Sequence, residues 1–222
     1  MNIKSAIFDM DGTLVDSLFF WDVFWDIISK KYLDGKKFTP TPDDDKYIRT
    51  SPFAKAMNLL HENYGIGENG EDLLKTMVES LGEFYAKDVK PKDGVKEFLD
   101  YLQSKGIKMC IASATSPDLI KVALKHCGID KYFSKLFSCG ELGVGKDKPD
   151  IYLLAKNYLG SEIADTFVFE DSLVAIETAV KIGMPTVGIY DKFNPGQERI
   201  KEIATEYIAD GETLLKLVGE IL

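Results

Sequence analysis

Two aspartates, Asp9 and Asp11, stand one residue apart, directly after the apolar pair Ile7-Phe8 and just ahead of Gly12. Two carboxylates this close repel each other unless a cation or a shared proton relieves them. An acidic surface turn also uses Asp and Gly, but it does not account for acids that abut the most apolar part of the segment. The combination reads as a metal-binding catalytic loop at the end of a buried strand. Gly12 lets the backbone turn sharply just past that strand.

Three later stretches carry residues suited to the same chemistry. Ser113 lies in Ala112-Ser113-Ala114-Thr115, where it can cap the following helix, and a helix start also offers free amides to a phosphate. Lys146 and Lys148 lie in Gly145-Lys146-Asp147-Lys148-Pro149-Asp150, and their spacing alone leaves open which of them matters. Glu170-Asp171-Ser172 follows the apolar run from Thr166 to Phe169. Acids at a helix start are ordinary dipole partners. A pair directly after a buried strand, facing the Asp9 loop, is better explained by a hard divalent cation, and magnesium takes oxygen ligands and few protein carboxylates.

The elements that must position these residues alternate in type. After the first strand, helical periodicity covers residues 17–33, about 52–64 and about 71–87, with a loop expected over 34–45, where Gly35, Pro40, Pro42 and three consecutive aspartates break the pattern. From residue 89 onward strands and helices alternate: strand Ile107 to Ala112, helix from Pro117, strand Leu136 to Ser138, helix Pro149 to Tyr158, strand Thr166 to Phe169, helix Ser172 to Ile182, strand Pro185 to Ile189, strand Tyr207 to Ala209 and a closing helix Glu212 to Glu220. Alternation of this kind predicts an α/β fold, a parallel sheet with helices on both faces. Residues 1–16 and 89–222 form that core, and 17–88 an inserted all-helical domain. In open parallel sheets ligands collect beyond the carboxyl ends of the strands, and Asp9, Ser113 and the Glu170-Asp171 pair all fall at such ends.

Bulk properties narrow the function. The 222 residues carry 27 basic and 36 acidic side chains, for a net charge of −9, which weighs against nucleic acid or an anionic membrane as the main partner. A local metal and lysine still permit an anionic substrate. Cys110, Cys127 and Cys139 have no metal-type spacing and an odd count, so free thiols in a reducing cytosol are expected. The start of the chain has no signal-peptide layout, and no apolar run approaches the ~20 residues needed to cross a bilayer. A cytoplasmic monomer is the expectation.

The run Asp9-Met10-Asp11-Gly12-Thr13-Leu14-Val15-Asp16-Ser17 closely resembles the first motif of haloacid dehalogenase-like hydrolases, most of which are magnesium-dependent phosphatases or phosphomutases. The resemblance spans nearly the whole chain and is strongest to the beta-phosphoglucomutase and phosphoglycolate phosphatase group. It implies a Rossmann-like core interrupted by a helical cap. It further implies Asp9 as nucleophile, passing through an aspartyl-phosphate, and Asp11 as general acid and base. Asp11 argues for phosphate over halide, because a dehalogenase does not need the second acid. Ser113, Ala114 and Lys146 become the phosphate-binding set. The family register of lysine, often proline, any residue, proline and aspartate selects Lys146, with Asp147 in the place of the first proline and Lys148 as the alternative. The implied magnesium ligands are Asp9, the main-chain carbonyl of Asp11, Glu170 and Asp171.

Two cap residues are candidates for contacting a small phosphorylated metabolite. Trp21, four residues from Trp25, offers an apolar wall, although packing between cap helices is the commoner use of aromatics. Arg49 offers a cation for a second anionic group. Sugar mutases of this group carry a histidine in the first cap helix. That place falls at Trp21 here, while His61 and His126 lie elsewhere, so a phosphatase is favoured over a beta-phosphoglucomutase-like sugar phosphomutase. A non-catalytic phosphometabolite sensor has no support, since no key acid is missing. A phosphonate hydrolase using Lys46 or Lys55 is more remote.

Overall fold

The computed structural model describes residues 1–221. It contains two compact units: Met1–Ser17 together with the chain from Val89 onward, and Leu18–Asp88. The first begins with β1 (Ser5–Phe8), buried at every residue, as a strand covered on both faces must be. Beyond it the backbone reverses tightly. Leu14 and Val15 donate their amides to the Met10 carbonyl at 2.9 and 3.0 Å, and the Gly12 amide donates to the Val15 carbonyl at 3.0 Å. Gly12 sits at φ 77°, which glycine reaches without the Cβ clash that other residues suffer. The chain then leaves through β2 (Val15–Asp16).

The second unit is entirely helical among its named elements: α1 (Phe20–Tyr32), α2 (Pro42–Thr50), α3 (Phe53–Tyr64) and α4 (Gly70–Lys87). An aromatic cluster holds it together. The Trp21 ring lies 5.8 Å from that of Trp25, 6.1 Å from Phe24 and 6.1 Å from Phe53, while the Phe20 ring lies 5.4 Å from that of Phe84, tilted by 45°. The loop expected over 34–45 holds for residues 34–41, and helix α2 corrects it from Pro42 onward. Thr41 caps it by accepting the Asp44 amide at 3.3 Å, Pro42 occupies the first turn, and Asp43, Asp44 and Asp45 follow there. Proline in the first turn loses no hydrogen bond, and acids there face the positive end of the helix dipole. The same residues that break a helix internally therefore begin one here.

The chain returns through β3 (Lys90–Pro91), which pairs antiparallel with β2, Val15 opposite Pro91 and Asp16 opposite Lys90. Then follow α5 (Val95–Ser104), β4 (Lys108–Ser113), α6 (Pro117–His126), β5 (Leu136–Ser138), α7 (Cys139–Leu142), α8 (Asp150–Leu159), β6 (Thr166–Glu170), α9 (Leu173–Lys181), β7 (Thr186–Ile189), α10 (Gln197–Ile203) and β8 (Glu206–Ile208). The closing helix expected over Glu212 to Glu220 is only a 3₁₀ turn, Leu214–Leu217, capped by Thr213. Gly219 at φ 97° cannot continue a right-handed helix. Helices α7 and α10, of four and seven residues, are too short to show a period in sequence.

The six long strands form one parallel sheet in the order β5-β4-β1-β6-β7-β8. Strand order therefore reverses at β1, with β4 and β5 on one side and β6 to β8 on the other. Such a switch point opens a crevice beyond the strand ends. The register aligns Phe8 with Ile111 on one side and with Phe169 on the other, so the residues just past β1 and β6 emerge side by side. Helix α8 packs on β1 and β4, with Tyr152 and Ile151 in a core shared with Ile7, Cys110 and Val168.

Candidate active site

The Asp9 amide donates to the Phe169 carbonyl at 3.0 Å, which fixes the first acid beside the end of β6. Carboxylate oxygens of Asp9, Glu170 and Asp171 lie within 4.8 Å of one another, and all three residues are buried. Lys146 reaches into this group. Its Nζ donates to Asp9 Oδ1 at 2.6 Å and to Glu170 Oε1. Three carboxylates and one ammonium leave an excess of about two negative charges when all are ionised. Burying even one uncompensated charge costs several kcal/mol. The all-oxygen donor set and this excess fit a hard divalent cation.

Titration follows from the same crowding. Burial raises the Glu170 carboxyl to about 7; Lys146 opposes the shift and Asp9 reinforces it. Burial, with Glu170 and Asp9 nearby, holds Asp171 well above the ordinary carboxylate range. Burial disfavours the Lys146 ammonium, but Asp9 and Glu170 outweigh it and keep the proton on. Glu170 is further held by its own helix start, Oε2 accepting the amides of Asp171 and Ser172 at 2.9 and 3.0 Å.

Asp11 stands at the edge of this group, half-buried. Ser17 Oγ donates to its Oδ1 at 2.7 Å and Thr115 Oγ1 to its Oδ2 at 2.8 Å. Accepting on both oxygens suits the ionised form, which has no proton of its own to donate. Ser113 ends β4 in the strand next to β1, is buried, and accepts the Thr115 amide at 3.1 Å. That contact leaves its own hydroxyl proton to donate elsewhere. Ala114 follows it, exposed at the bend.

The structure thus brings Asp9, Lys146, Glu170 and Asp171 together, with Asp11 tied to Ser17 and to the turn after Ser113. Of the two lysines, Lys146 is 12% exposed against 62% for Lys148, which pairs only loosely with Asp147 at 3.8 Å. Trp21 and Arg49 belong to the helical unit. Trp21 is buried within its aromatic cluster. Arg49 ties α2 to α1, its Nε on Asp45 Oδ2 at 2.8 Å and its Nη2 on Asp22 Oδ1 at 2.9 Å.

Four supporting residues escaped the reading of the sequence. Thr13 Oγ1 donates to Asp171 Oδ1 at 2.8 Å, and Ser17 and Thr115 hold Asp11. All three sit inside quoted motifs, where their hydroxyls were the available signal. Asn194 donates to Asp171 Oδ2 from a loop 23 residues away, and Asn194-Pro195-Gly196 reads locally as nothing but a turn. Among the described residues no helix is long and apolar enough to cross a membrane.

Comparison with known proteins agrees with this geometry. The chain is 27% identical over 221 residues to the phosphorylated carbohydrates phosphatase of Thermotoga maritima, covering 99% of this chain and 100% of that one. It is 24% identical over 220 residues to the validoxylamine A 7'-phosphate phosphatase of Streptomyces hygroscopicus subsp. limoneus, covering 98% and 95%. A solved Thermotoga maritima structure with the provisional name beta-phosphoglucomutase superposes with a TM-score of 0.83 at 27% identity, covering 99% and 100%. The family model for haloacid dehalogenase-like hydrolases matches residues 3–183, most of the strands and every acid of the crevice. The chain is an enzyme that belongs to the haloacid dehalogenase-like hydrolases.

Proposed function

We propose that the protein is a magnesium-dependent phosphatase that hydrolyses a small phosphorylated metabolite, a phosphorylated carbohydrate by class, through an aspartyl-phosphate on Asp9. The observation that carries this reading is the buried meeting of Asp9, Glu170 and Asp171 with the Lys146 ammonium. Asp9, the Asp11 carbonyl, Asp171 and Glu170 would hold the cation, which when bound offsets negative charge on the phosphoryl oxygens and orients them. The named relatives support the substrate class.

In this reading an Asp9 carboxylate oxygen attacks phosphorus as the bond to the ester oxygen breaks. Asp11, protonated for this half, gives its proton to the departing oxygen. Water then attacks the same phosphorus, Asp11 takes the proton back, and Asp9 and inorganic phosphate are released. Ser17 and Thr115 orient Asp11 for that second half, when it must be ionised. Ser113 and the Ala114 amide hold phosphoryl oxygens, and Lys146 neutralises charge that builds on them.

Phosphate release from a panel of sugar phosphates, with magnesium and with chelator, tests the proposal. Turnover that needs magnesium and disappears in Asp9→Asn is expected. No turnover across the panel, or turnover indifferent to Asp9→Asn, refutes it. Adding a sugar bisphosphate separates the mutase alternative, which would interconvert isomers without net phosphate release.

A further inference from the structure

We propose that Asn194 is a positioning residue that aims the Asp171 carboxylate and thereby sets the affinity of the crevice for its cation. The inference rests on the reading of that crevice as a cation site. Asp171 is 1% exposed, and its two oxygens are held by two different parts of the chain. Thr13 Oγ1, from the turn after β1, takes Oδ1 at 2.8 Å. Asn194 Nδ2, from the loop after β7, takes Oδ2. With a donor on each oxygen the carboxylate plane is fixed, and the lone pairs left over keep one direction. A carboxylate free to rotate about its last torsion would have to be ordered each time a cation bound.

The loop that carries Asn194 is built to hold still. Asp191, 5% exposed, is its hub. Its Oδ1 accepts the Phe193 amide at 3.0 Å and its Oδ2 the Lys92 ammonium at 3.0 Å, while its carbonyl accepts the Asn194 amide at 3.1 Å. Lys92 also donates to the Tyr190 carbonyl at 3.1 Å. Gln197 Nε2 closes the far side, donating to the carbonyls of Asp191 and Asn194 at 3.2 and 3.1 Å, and its own oxygen accepts the Tyr207 hydroxyl at 2.9 Å. Asn194 therefore has its backbone held from both directions while its amide is directed at one acceptor. A turn needed only for connection would not require a half-buried ion pair beneath it.

Groups that orient a ligating side chain typically change metal affinity by ten- to a hundredfold when removed. The experiment is a calorimetric titration of the full chain with magnesium alone, no substrate present, for the wild type, Asn194→Ala and the similarly sized Asn194→Leu. Both variants are expected to bind magnesium ten- to a hundredfold more weakly, with kcat returning toward the wild-type value when magnesium is raised to saturation. Unchanged affinity in both, or loss in Ala that Leu restores, overturns the inference by showing that only volume matters. A kcat that stays low at saturating magnesium also overturns it, since Asn194 would then act on the reaction directly. A wild-type chain that takes up no magnesium fails the cation reading itself; where the wild type binds and Asp171→Asn abolishes uptake, unchanged affinity in the Asn194 variants is a failure confined to the loop.

Discussion

Raising the pH of the metal-free protein should weaken it, and magnesium should restore what is lost. The Glu170 carboxyl moves from its ordinary 4.5 to about 7 on folding, mainly through burial. A carboxyl raised in this way binds its proton more tightly folded than unfolded. Its contribution to stability is complete below about 4.5 and is lost as the pH climbs through about 7. At about 1.4 kcal/mol per unit the loss is on the order of 3 kcal/mol, and Asp171, raised for the same reason, acts with the same sign. For a chain of this length the full loss corresponds to a drop in Tm of roughly 6–12 °C, about three-fifths of which falls between pH 5.5 and pH 8. A divalent cation binds the ionised acids and displaces their protons, so its stabilising effect should grow with pH where the acids would otherwise be protonated. The assay is thermal melting at pH 5.5 and pH 8, each in chelator and in excess magnesium. Melts in chelator that stay level or climb toward pH 8 would refute the reasoning, as would a magnesium effect of equal size at both pH values.

Two further outcomes follow from the same crevice. Lys146→Ala should lower kcat by about a hundredfold or more, whereas Lys148→Ala should stay within a few-fold of wild type; parallel assays of phosphate release decide between them. Tyr152 is fully buried with no hydrogen-bond partner for its hydroxyl among the described residues, so Tyr152→Phe should raise stability by about 1 kcal/mol, read as a higher midpoint in urea.

The strand ends were legible because two independent signals coincide there. Ile7-Phe8 and Thr166 to Phe169 are apolar enough to demand burial, and each runs directly into acids that burial penalises. Such a conflict has few structural resolutions, and a cation crevice is one of them. Lys146 and Lys148 were indistinguishable by spacing, and only the fold reveals that one is buried against Asp9 while the other stays in water. Helix α2 was hidden because Pro42 and Asp43 to Asp45 carry opposite meanings at a helix start and within a helix. Asn194 was illegible for a different reason: its partner Asp171 is distant in sequence, and the contact exists only because β6 and β7 are neighbours in the sheet. Trp21 shows the reverse. Helical spacing placed it with Trp25 correctly, and the unit's own aromatic cluster accounts for both rings.

The helical unit is inserted between β2 and β3, whose pairing sets Asp16 opposite Lys90. Departure and return are thus clasped together by one short antiparallel ladder belonging to the sheet-bearing half. A graft made outside that clasp presents the same two ends to the rest of the molecule, whatever its length or helix count. Loop closure grows only slowly with the number of residues enclosed. Helical inserts of other lengths can therefore be exchanged at this junction while the acids at the ends of β1 and β6 keep their alignment.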